Sequence, residues 1–389
     1  MQLARDDERF DLVLVGGGLQ NGLIALCALH ADPACRIVMV EAGRKIGGNH
    51  TWCVHARDVP ASARVWFEPL VVTRWPAYEV RFPDLSRTLQ SAYAYVSSER
   101  FADVVADLFA RHPECRLITG ARAVAVGART VQLEDGRELR GRAVIDARGP
   151  EPSSHEGSCG YQKFLGLELE LRAAHGVVHP IMMDAQCPQL DGYRFFYVLP
   201  LSPTRLLVEE TRFSLKSALD LDAGRAAVRA YAAQYGEVAS VLREETGVLP
   251  MPWSMRWSEL DPEHPIVAGY RGGFFHPATG YSLPVALRFA ESLCKGLGHS
   301  ADTEALLRFL QAQRSQATFA LHLNRLLFTG FSETDMWGVL ARFYRLSEPL
   351  IERFYALSST TSDRLRILGG RPPRGFSLLR ALSAALRAA

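Results

Sequence analysis

A glycine-rich turn between two apolar runs has the residue types and spacing to hold a phosphate. The chain reads Asp11-Leu12-Val13-Leu14-Val15-Gly16-Gly17-Gly18-Leu19-Gln20-Asn21-Gly22, and later Arg36-Ile37-Val38-Met39-Val40-Glu41. A strand, a turn, a helix over Leu19–His30 and a second strand ending in an acid suit an adenine dinucleotide. Glycines let the backbone approach a pyrophosphate, N–H groups at the helix start point at it, and Glu41 can accept hydrogen bonds from ribose hydroxyls. Gly16, Gly18, Gly22 and Glu41 are the expected contacts. In G-x-G-x-x-G spacing the third glycine falls at position 21, where the chain has Asn21, with Gly22 one step later.

Further glycine segments extend this site. Gly47-Gly48, in the loop after Glu41, is either a second close approach of backbone to cofactor or a simple turn. The run Ala143-Val144-Ile145-Asp146-Ala147-Arg148-Gly149-Pro150 resembles the second contact that two-dinucleotide flavoproteins make with FAD. Gly272-Gly273-Phe274-Phe275-His276-Pro277-Ala278-Thr279-Gly280-Tyr281-Ser282-Leu283-Pro284 precedes an apolar helix through Leu297. It sets Gly280, Tyr281 and Ser282 at a helix N-terminus, suited to a flavin's ribityl-pyrophosphate or ring carbonyls, with Pro284 compatible with the first turn. A NAD-only domain would continue with another β-α-β unit, whereas here short strands follow the helix over Ser98–His112. FAD is therefore the expected tightly held cofactor.

A second kind of chemistry is available at Glu209-Glu210. These adjacent carboxylates end a strand-like run, so alternation sends one toward each face, unless the pair is simply solvated on a strand edge. His50 and His276 have side chains that titrate near neutrality, and Asp184 is a further carboxylate candidate. The faces of Trp52, Tyr193, Phe195, Tyr197, Trp253 and Trp257 could attract a cation, by about 0.5–2 kcal/mol each, or serve only as core.

These groups must be positioned by a chain of 389 residues, longer than one core usually supports. Hydrophobic content of 48% and charged content of 22% are ordinary for a globular protein, and 44 basic against 42 acidic residues imply no nucleic-acid partner. Strands are expected at Phe164–Leu171, Tyr193–Pro200 and Arg205–Thr211, and helices at Asp220–Tyr235 and Ser300–Leu327. The expected division is a cofactor lobe of 9–58, 99–150 and 262–300, a sheet-based substrate lobe of 59–98 and 151–261, and a helical region over 301–389. Seven scattered cysteines, none in C-x-x-C spacing, argue for a reducing compartment and against a metal site or a disulfide framework. No run approaches the ~20 apolar residues of a membrane span, and the charged N-terminus lacks an export signal. From Arg364 onward the chain is basic without a single acid and interleaved with leucines. That tail suits an anionic bilayer surface or a frayed helix packed on the body.

Five segments together resemble the bacterial lycopene β-cyclases. They are Val15-Gly16-Gly17-Gly18-Leu19, Gly47-Gly48-Asn49-His50-Thr51-Trp52, Gln162-Lys163-Phe164, Leu207-Val208-Glu209-Glu210-Thr211 and His276-Pro277-Ala278-Thr279-Gly280-Tyr281-Ser282, in the family's order. The resemblance implies an α/β Rossmann-type flavoprotein fold of the geranylgeranyl-reductase and hydroxylase type, with a β-sheet substrate lobe and C-terminal helices. It implies conversion of lycopene to β-carotene through γ-carotene, with reduced FAD, NADPH or NADH as reductant and no net redox change. By likeness to the Phe-Leu-Glu-Glu-Thr motif of plant cyclases, Glu209 is the expected general acid and Glu210 its support. For the final proton removal His276 and His50 are the candidates by side-chain type, unless each is a hydrogen-bonded structural group. Substrate contacts are expected from Trp52, Tyr193, Phe195, Tyr197 and Trp253. The expected location is peripheral, on the cytoplasmic face of the inner membrane. Two departures from the wider flavoprotein pattern are Asn21 and Gly269-Tyr270, the latter standing where related flavoproteins carry Gly-Asp. A prenyl-chain reductase or monooxygenase, and a non-catalytic prenyl-lipid carrier, are the competing readings on the same scaffold.

Overall fold

The computed structural model describes residues 9–149, 159–255, 257, 260–296, 303–370 and 375–377. The chain opens with strand β1 (Arg9–Val15), helix α1 (Leu19–Ala31) and strand β2 (Ile37–Glu41). Alanine and leucine cover α1 on nearly every side, which marks a helix buried all round rather than along one stripe. Next come β3 (Thr51–His55), α2 (Arg64–Phe67), β4 (Thr73–Trp75), β5 (Tyr78–Phe82), β6 (Leu85–Leu89) and β7 (Tyr93–Ser97). Helix α3 (Ser98–Arg111) buries Phe101, Val104, Val105 and Phe109 at helical spacing, and the Ser97 side chain caps it by accepting from the Arg100 N–H at 3.0 Å. Four short strands follow: β8 (Arg116–Thr119), β9 (Ala123–Val126), β10 (Thr130–Leu133) and β11 (Glu138–Asp146).

The second half begins with β12 (Cys159–Leu171), β13 (Ile181–Asp184), β14 (Tyr193–Pro200) and β15 (Arg205–Ser214). Helix α4 (Leu221–Ala232), the long strand β16 (Val238–Pro252) and the short β17 (Ile266–Val267) lead to α5 (Leu283–Gly296) and α6 (Thr303–Gly330). Three shorter helices, α7 (Met336–Phe343), α8 (Glu348–Tyr355) and α9 (Thr361–Leu368), complete the described elements.

Among the described residues the strands form three sheets. The first has the order β8-β2-β1-β11-β10-β9, with β17 also on β11. Its β8, β2, β1, β11 and β17 run parallel, while β9 and β10 form an antiparallel extension. Parallel register sets Val15 beside Asp146, and Asp146 beside Val267, so the turns after β1, β11 and β17 leave from one edge. That edge, at the carboxyl ends of parallel strands, is where α/β sheets bind ligands.

The second sheet runs β16-β12-β15-β14-β13-β5-β6, antiparallel except for β13 beside β5, and the third is β3-β7-β4. One face of the second sheet is covered by α4, with Leu165, Leu167, Phe196, Val198, Leu206 and Val208 in its core. The opposite face carries Tyr193, Phe195, Leu199, Leu207 and Phe213 into a core shared with Tyr93, Tyr95 and the C-terminal helices.

The expected β-α-β start and the strand over Tyr193–Pro200 are present. Thr51 and Trp52, at the end of the expected loop over 42–52, belong to the strand Thr51–His55, because Thr51 to His55 pair with Ser97 to Tyr93, some forty positions away. Most of the basic tail, 371–374 and 378–389, and the stretch 150–158 with Pro150 lie outside the described residues. No helix among the described residues is long and apolar enough to cross a membrane.

Candidate functional site

The glycine segments converge at the carboxyl edge of the parallel strands. Gly16 has φ +98°, and a Cβ there would stand 2.9 Å from the Ala147 carbonyl oxygen, so the turn after β1 lies directly against the turn after β11. Gly18 caps α1 without a side-chain hydrogen bond, and a Cβ on it would meet nothing within 4 Å. The same open space surrounds Gly149. Gly47, at φ +82°, donates its N–H to the Gly17 carbonyl at 2.8 Å, and Gly48 follows at φ +62°. The Gly47-Gly48 turn thus lies against the first glycine turn. Glu41 accepts from the Gly17 N–H at 2.7 Å and from the Gly43 N–H at 2.6 Å.

Two positions here are tied to the fold. Asn21, fully buried, donates through Nδ2 to the carbonyls of Val15 at 3.0 Å and Gly16 at 2.8 Å, so it pins the turn it faces. Gly22 faces α3: a Cβ there would stand 2.1 Å from Phe101 Cζ. The need for glycine at position 22 is close helix packing, not an approach to a ligand. Gly22→Ala is expected to cost about 1–3 kcal/mol of stability by overpacking. A lowered melting temperature that Phe101→Leu restores would check this.

In the third segment Gly280 takes φ +68°, and its carbonyl accepts from the Tyr270 hydroxyl. Tyr270 stacks on Phe275 with ring centroids 4.4 Å apart, so at the Gly269-Tyr270 departure the chain carries an aromatic clamp on its own loop. Tyr281 donates to Asp58 at 3.0 Å, and burial pushes the Asp58 carboxyl up to about 7. The Ser282 carbonyl accepts from the Ala286 N–H at 2.9 Å in the first turn of α5. Beside Gly280 the Gln162 Oε1 is buried without a hydrogen-bond partner.

Alternation along β15 separates the two glutamates. Glu210 points to the α4 side, where its carboxylate accepts from Arg194 at 2.5 Å and Arg212 at 2.7 Å. It is a buried ion-pair centre, not a support for Glu209. Glu209 points the other way and is half-buried, beside Tyr197. Burial pushes its carboxyl up to about 8, the charge of Glu245 adds to this, and a hydrogen bond from the Thr211 hydroxyl at 2.5 Å opposes it.

A carboxyl raised in the folded state and ordinary in the unfolded state favours folding at low pH. Its contribution is fully present below the unfolded value near 4.5 and is lost as pH rises toward about 8. Glu209→Gln removes this dependence. The melting temperature of the variant relative to the parent is expected to rise between pH 5 and 8.5, by about 2 °C or more. Parallel curves across that range would contradict the assignment.

Register places Tyr197 directly beside Glu209, Phe195 beside Thr211 and Tyr193 beside Phe213, all on one face. Tyr193 stacks on Phe195 with centroids 5.1 Å apart, and the Tyr197 hydroxyl lies 3.1 Å from that of Tyr93. The expected aromatic residues of β14 thus line the Glu209 face. A cleft of about 410 Å³, lined by Tyr95, Glu168, Leu201, Arg205, Leu242 and Arg243, opens toward the edge of this region. Trp52 packs edge-on against Phe101 at 5.2 Å, close to the glycine turns, and Trp253 packs near Phe328 at 6.1 Å. Trp257 lies beside Gly273, away from the carboxylates.

His276 is poorly suited to moving protons. It is wholly buried, its Nδ1 accepts from the Ala278 N–H at 3.1 Å, and burial lowers its pKa to about 3. The ring stays neutral and shapes the loop. His50 is also lowered, by burial and by the Arg243 cation. Asp184 accepts from Tyr231 at 2.8 Å, and Tyr231 stacks on Phe196 on the α4 side, apart from Glu209. Glu245 was not foreseen: β16 has no recognisable motif, and the residue gains meaning only from strand register. No cluster of potential metal ligands occurs among the described residues.

Residues 11–381 match the family described as lycopene cyclase protein. The chain is 44% identical over 368 residues to the lycopene beta-cyclase of Pantoea ananas, covering 94% of this chain and 95% of that one. It is 41% identical to the lycopene beta-cyclase of Pseudescherichia vulneris, covering 93% and 94% of the two chains. Among solved structures, a probable FAD-dependent monooxygenase from Pseudomonas aeruginosa shares the fold at TM-score 0.60 and 17% identity, over 85% of this chain and 98% of that one. A geranylgeranyl bacteriochlorophyll reductase-like protein from Thermoplasma acidophilum does so at TM-score 0.61 and 13% identity, over 97% and 96%. By sequence along nearly its whole length, and with a fold shared with these two proteins, the chain belongs to the bacterial lycopene beta-cyclase family.

Proposed function

We propose that this chain cyclises both ends of lycopene to β-carotene through γ-carotene, without net redox change, using Glu209 as proton donor and reduced FAD as cofactor. The observation that carries the proposal is the half-buried Glu209 carboxyl, raised above its usual range by burial, on the face of β15 that Tyr193, Phe195 and Tyr197 line. The names of the relatives at 41–44% identity supply the substrate.

The residues at the sheet edge fit FAD. The backbone N–H groups of Gly18 and of the start of α1 would hold the pyrophosphate, where a side chain on Gly18 would fill free space. Glu41 retains lone pairs for ribose hydroxyls beyond its two backbone bonds. Gln162 Oε1, buried and unpartnered, offers an acceptor beside Gly280. When bound, the reduced flavin would supply negative charge that offsets a developing carbocation. NADPH or NADH would serve only to reduce it.

The chemistry asked of the protein is proton movement. Glu209 gives its proton to the terminal alkene and leaves a tertiary cation. The electron pair of a nearby double bond closes the six-membered ring and moves the cation along the chain. Loss of one proton then restores a double bond, so one proton enters and one leaves per ring. Tyr193, Phe195 and Tyr197 bound the Glu209 face, exclude water and present ring faces to the cation. Attachment to the cytoplasmic face of the membrane through the tail beyond Arg364 belongs to the same proposal. Deletion of 371–389 is expected to weaken sedimentation with anionic liposomes while leaving flavin content unchanged.

Anaerobic enzyme with chemically reduced flavin and lycopene is the direct test. β-Carotene formed without dioxygen, and without NADPH consumed in step with product, supports the proposal. Consumption of either in proportion to product would replace it with a reductase or monooxygenase reading.

A further inference from the structure

We propose that Glu245 is a positioning residue for Glu209, the two carboxyls forming a proton-sharing pair across Gly166. This rests on the role of Glu209 given above. Strand β12 lies between β15 and β16, and Gly166 is the cross-strand partner of Glu209 on one side and of Glu245 on the other. Any other residue would put a side chain between the two carboxyls. A Cβ on Gly166 would stand 3.4 Å from Glu209 Cβ, 3.2 Å from Glu245 Cγ and 3.4 Å from Glu245 Oε1. Gly166 has ordinary backbone angles, so its lack of a side chain serves space rather than conformation.

The surroundings of the pair are unequal. Glu245 Oε2 accepts from the Arg243 guanidinium at 2.7 Å and the Thr51 hydroxyl at 2.8 Å, whereas Glu209 has the Thr211 hydroxyl. Arg243 is itself oriented by Glu168 at 3.2 Å and by Asn49 at 3.0 Å. Burial raises the Glu245 carboxyl as well, but the Arg243 guanidinium opposes this on Glu245 and no cation does so on Glu209, which favours the negative charge on Glu245 and the proton on Glu209. Two carboxyls flanking one glycine and close enough for the charge of one to raise the other cannot both ionise cheaply, so the pair retains one proton across neutral pH. The other titratable groups facing Glu209 stay neutral. Burial pushes the Cys53 thiol up to about 12 and holds the Tyr197 and Tyr93 hydroxyls well above their usual range. Glu245 thereby keeps its neighbour loaded with the proton that ring closure needs.

The test is the pH profile of anaerobic cyclisation by flavin-loaded enzyme. Glu245→Gln keeps the volume and removes the charge, so the alkaline limb is expected to move to lower pH by about one unit or more. Gly166→Ala wedges a methyl between the carboxyls and is expected to move the limb in the same direction. An unchanged limb in Glu245→Gln that still folds and holds flavin overturns the proposal. Should Glu245→Gln fail to fold, an unchanged limb in Gly166→Ala overturns it. Glu209→Gln, measured alongside, separates the two ideas: if it cyclises normally, the donor role of Glu209 fails. If it is inactive while the Glu245→Gln limb stays in place, only the pairing fails.

Discussion

Glu209→Gln is expected to lower cyclisation by about 10²–10⁴-fold, the range a positioned general acid contributes. The amide fills the same space, keeps an acceptor for the Thr211 hydroxyl and cannot release a proton to an alkene. Flavin content is expected to match that of the parent, because the glycine turns, Glu41 and Gln162 are untouched. The change should fall on kcat for lycopene and for γ-carotene alike, since both need the same proton. Product analysis by chromatography from anaerobic, reduced enzyme reads the result.

Glu210→Ala, one residue along the strand, is expected to do the opposite. Its carboxylate sits 3% exposed between Arg194 and Arg212, with Arg194 itself 10% exposed. Removing it leaves an uncompensated buried cation, a change that costs about 3–5 kcal/mol. Arg194 also lies over the Phe196 ring at 5.2 Å, and Phe196 stacks on Tyr231 of α4, so the loss spreads into the packing of that helix. The expected outcome is a much lower denaturation midpoint and poor yield, with flavin-loaded molecules still cyclising at close to the parent rate. A variant of normal stability that has lost the chemistry would mean that the two glutamates have been given each other's roles.

This contrast was legible in the sequence, because strand alternation is local: Glu209 and Glu210 had to face opposite sides once Arg205–Thr211 was read as a strand. The β-α-β start was legible for the same reason, since glycine spacing and apolar runs report on neighbours within a few residues. Tyr193, Phe195 and Tyr197 were named only alongside three tryptophans, and strand register is what gathers them on the Glu209 face. Glu245 was invisible because its meaning comes from register across β12, and Gly166 looked like one more glycine in an apolar run. Gly22 and His276 misled for a related reason. Glycine is needed as much for a phenylalanine ring packed on a helix as for a ligand, and a histidine titrates near neutrality only while water reaches it. Asn21 and Tyr270, which depart from the flavoprotein pattern, proved to secure turns in their own loops.

The central claim is that hydrogen ions, and not electrons, are exchanged between protein and polyene. Cyclisation of unlabelled lycopene in D2O by anaerobic, flavin-reduced enzyme tests it most directly, with products examined by mass spectrometry. The account predicts a product isomeric with the substrate apart from one solvent deuteron gained for each ring closed, and none formed by Glu209→Gln. A product with altered hydrogen or oxygen count, or rings closed without solvent deuterium, would contradict it.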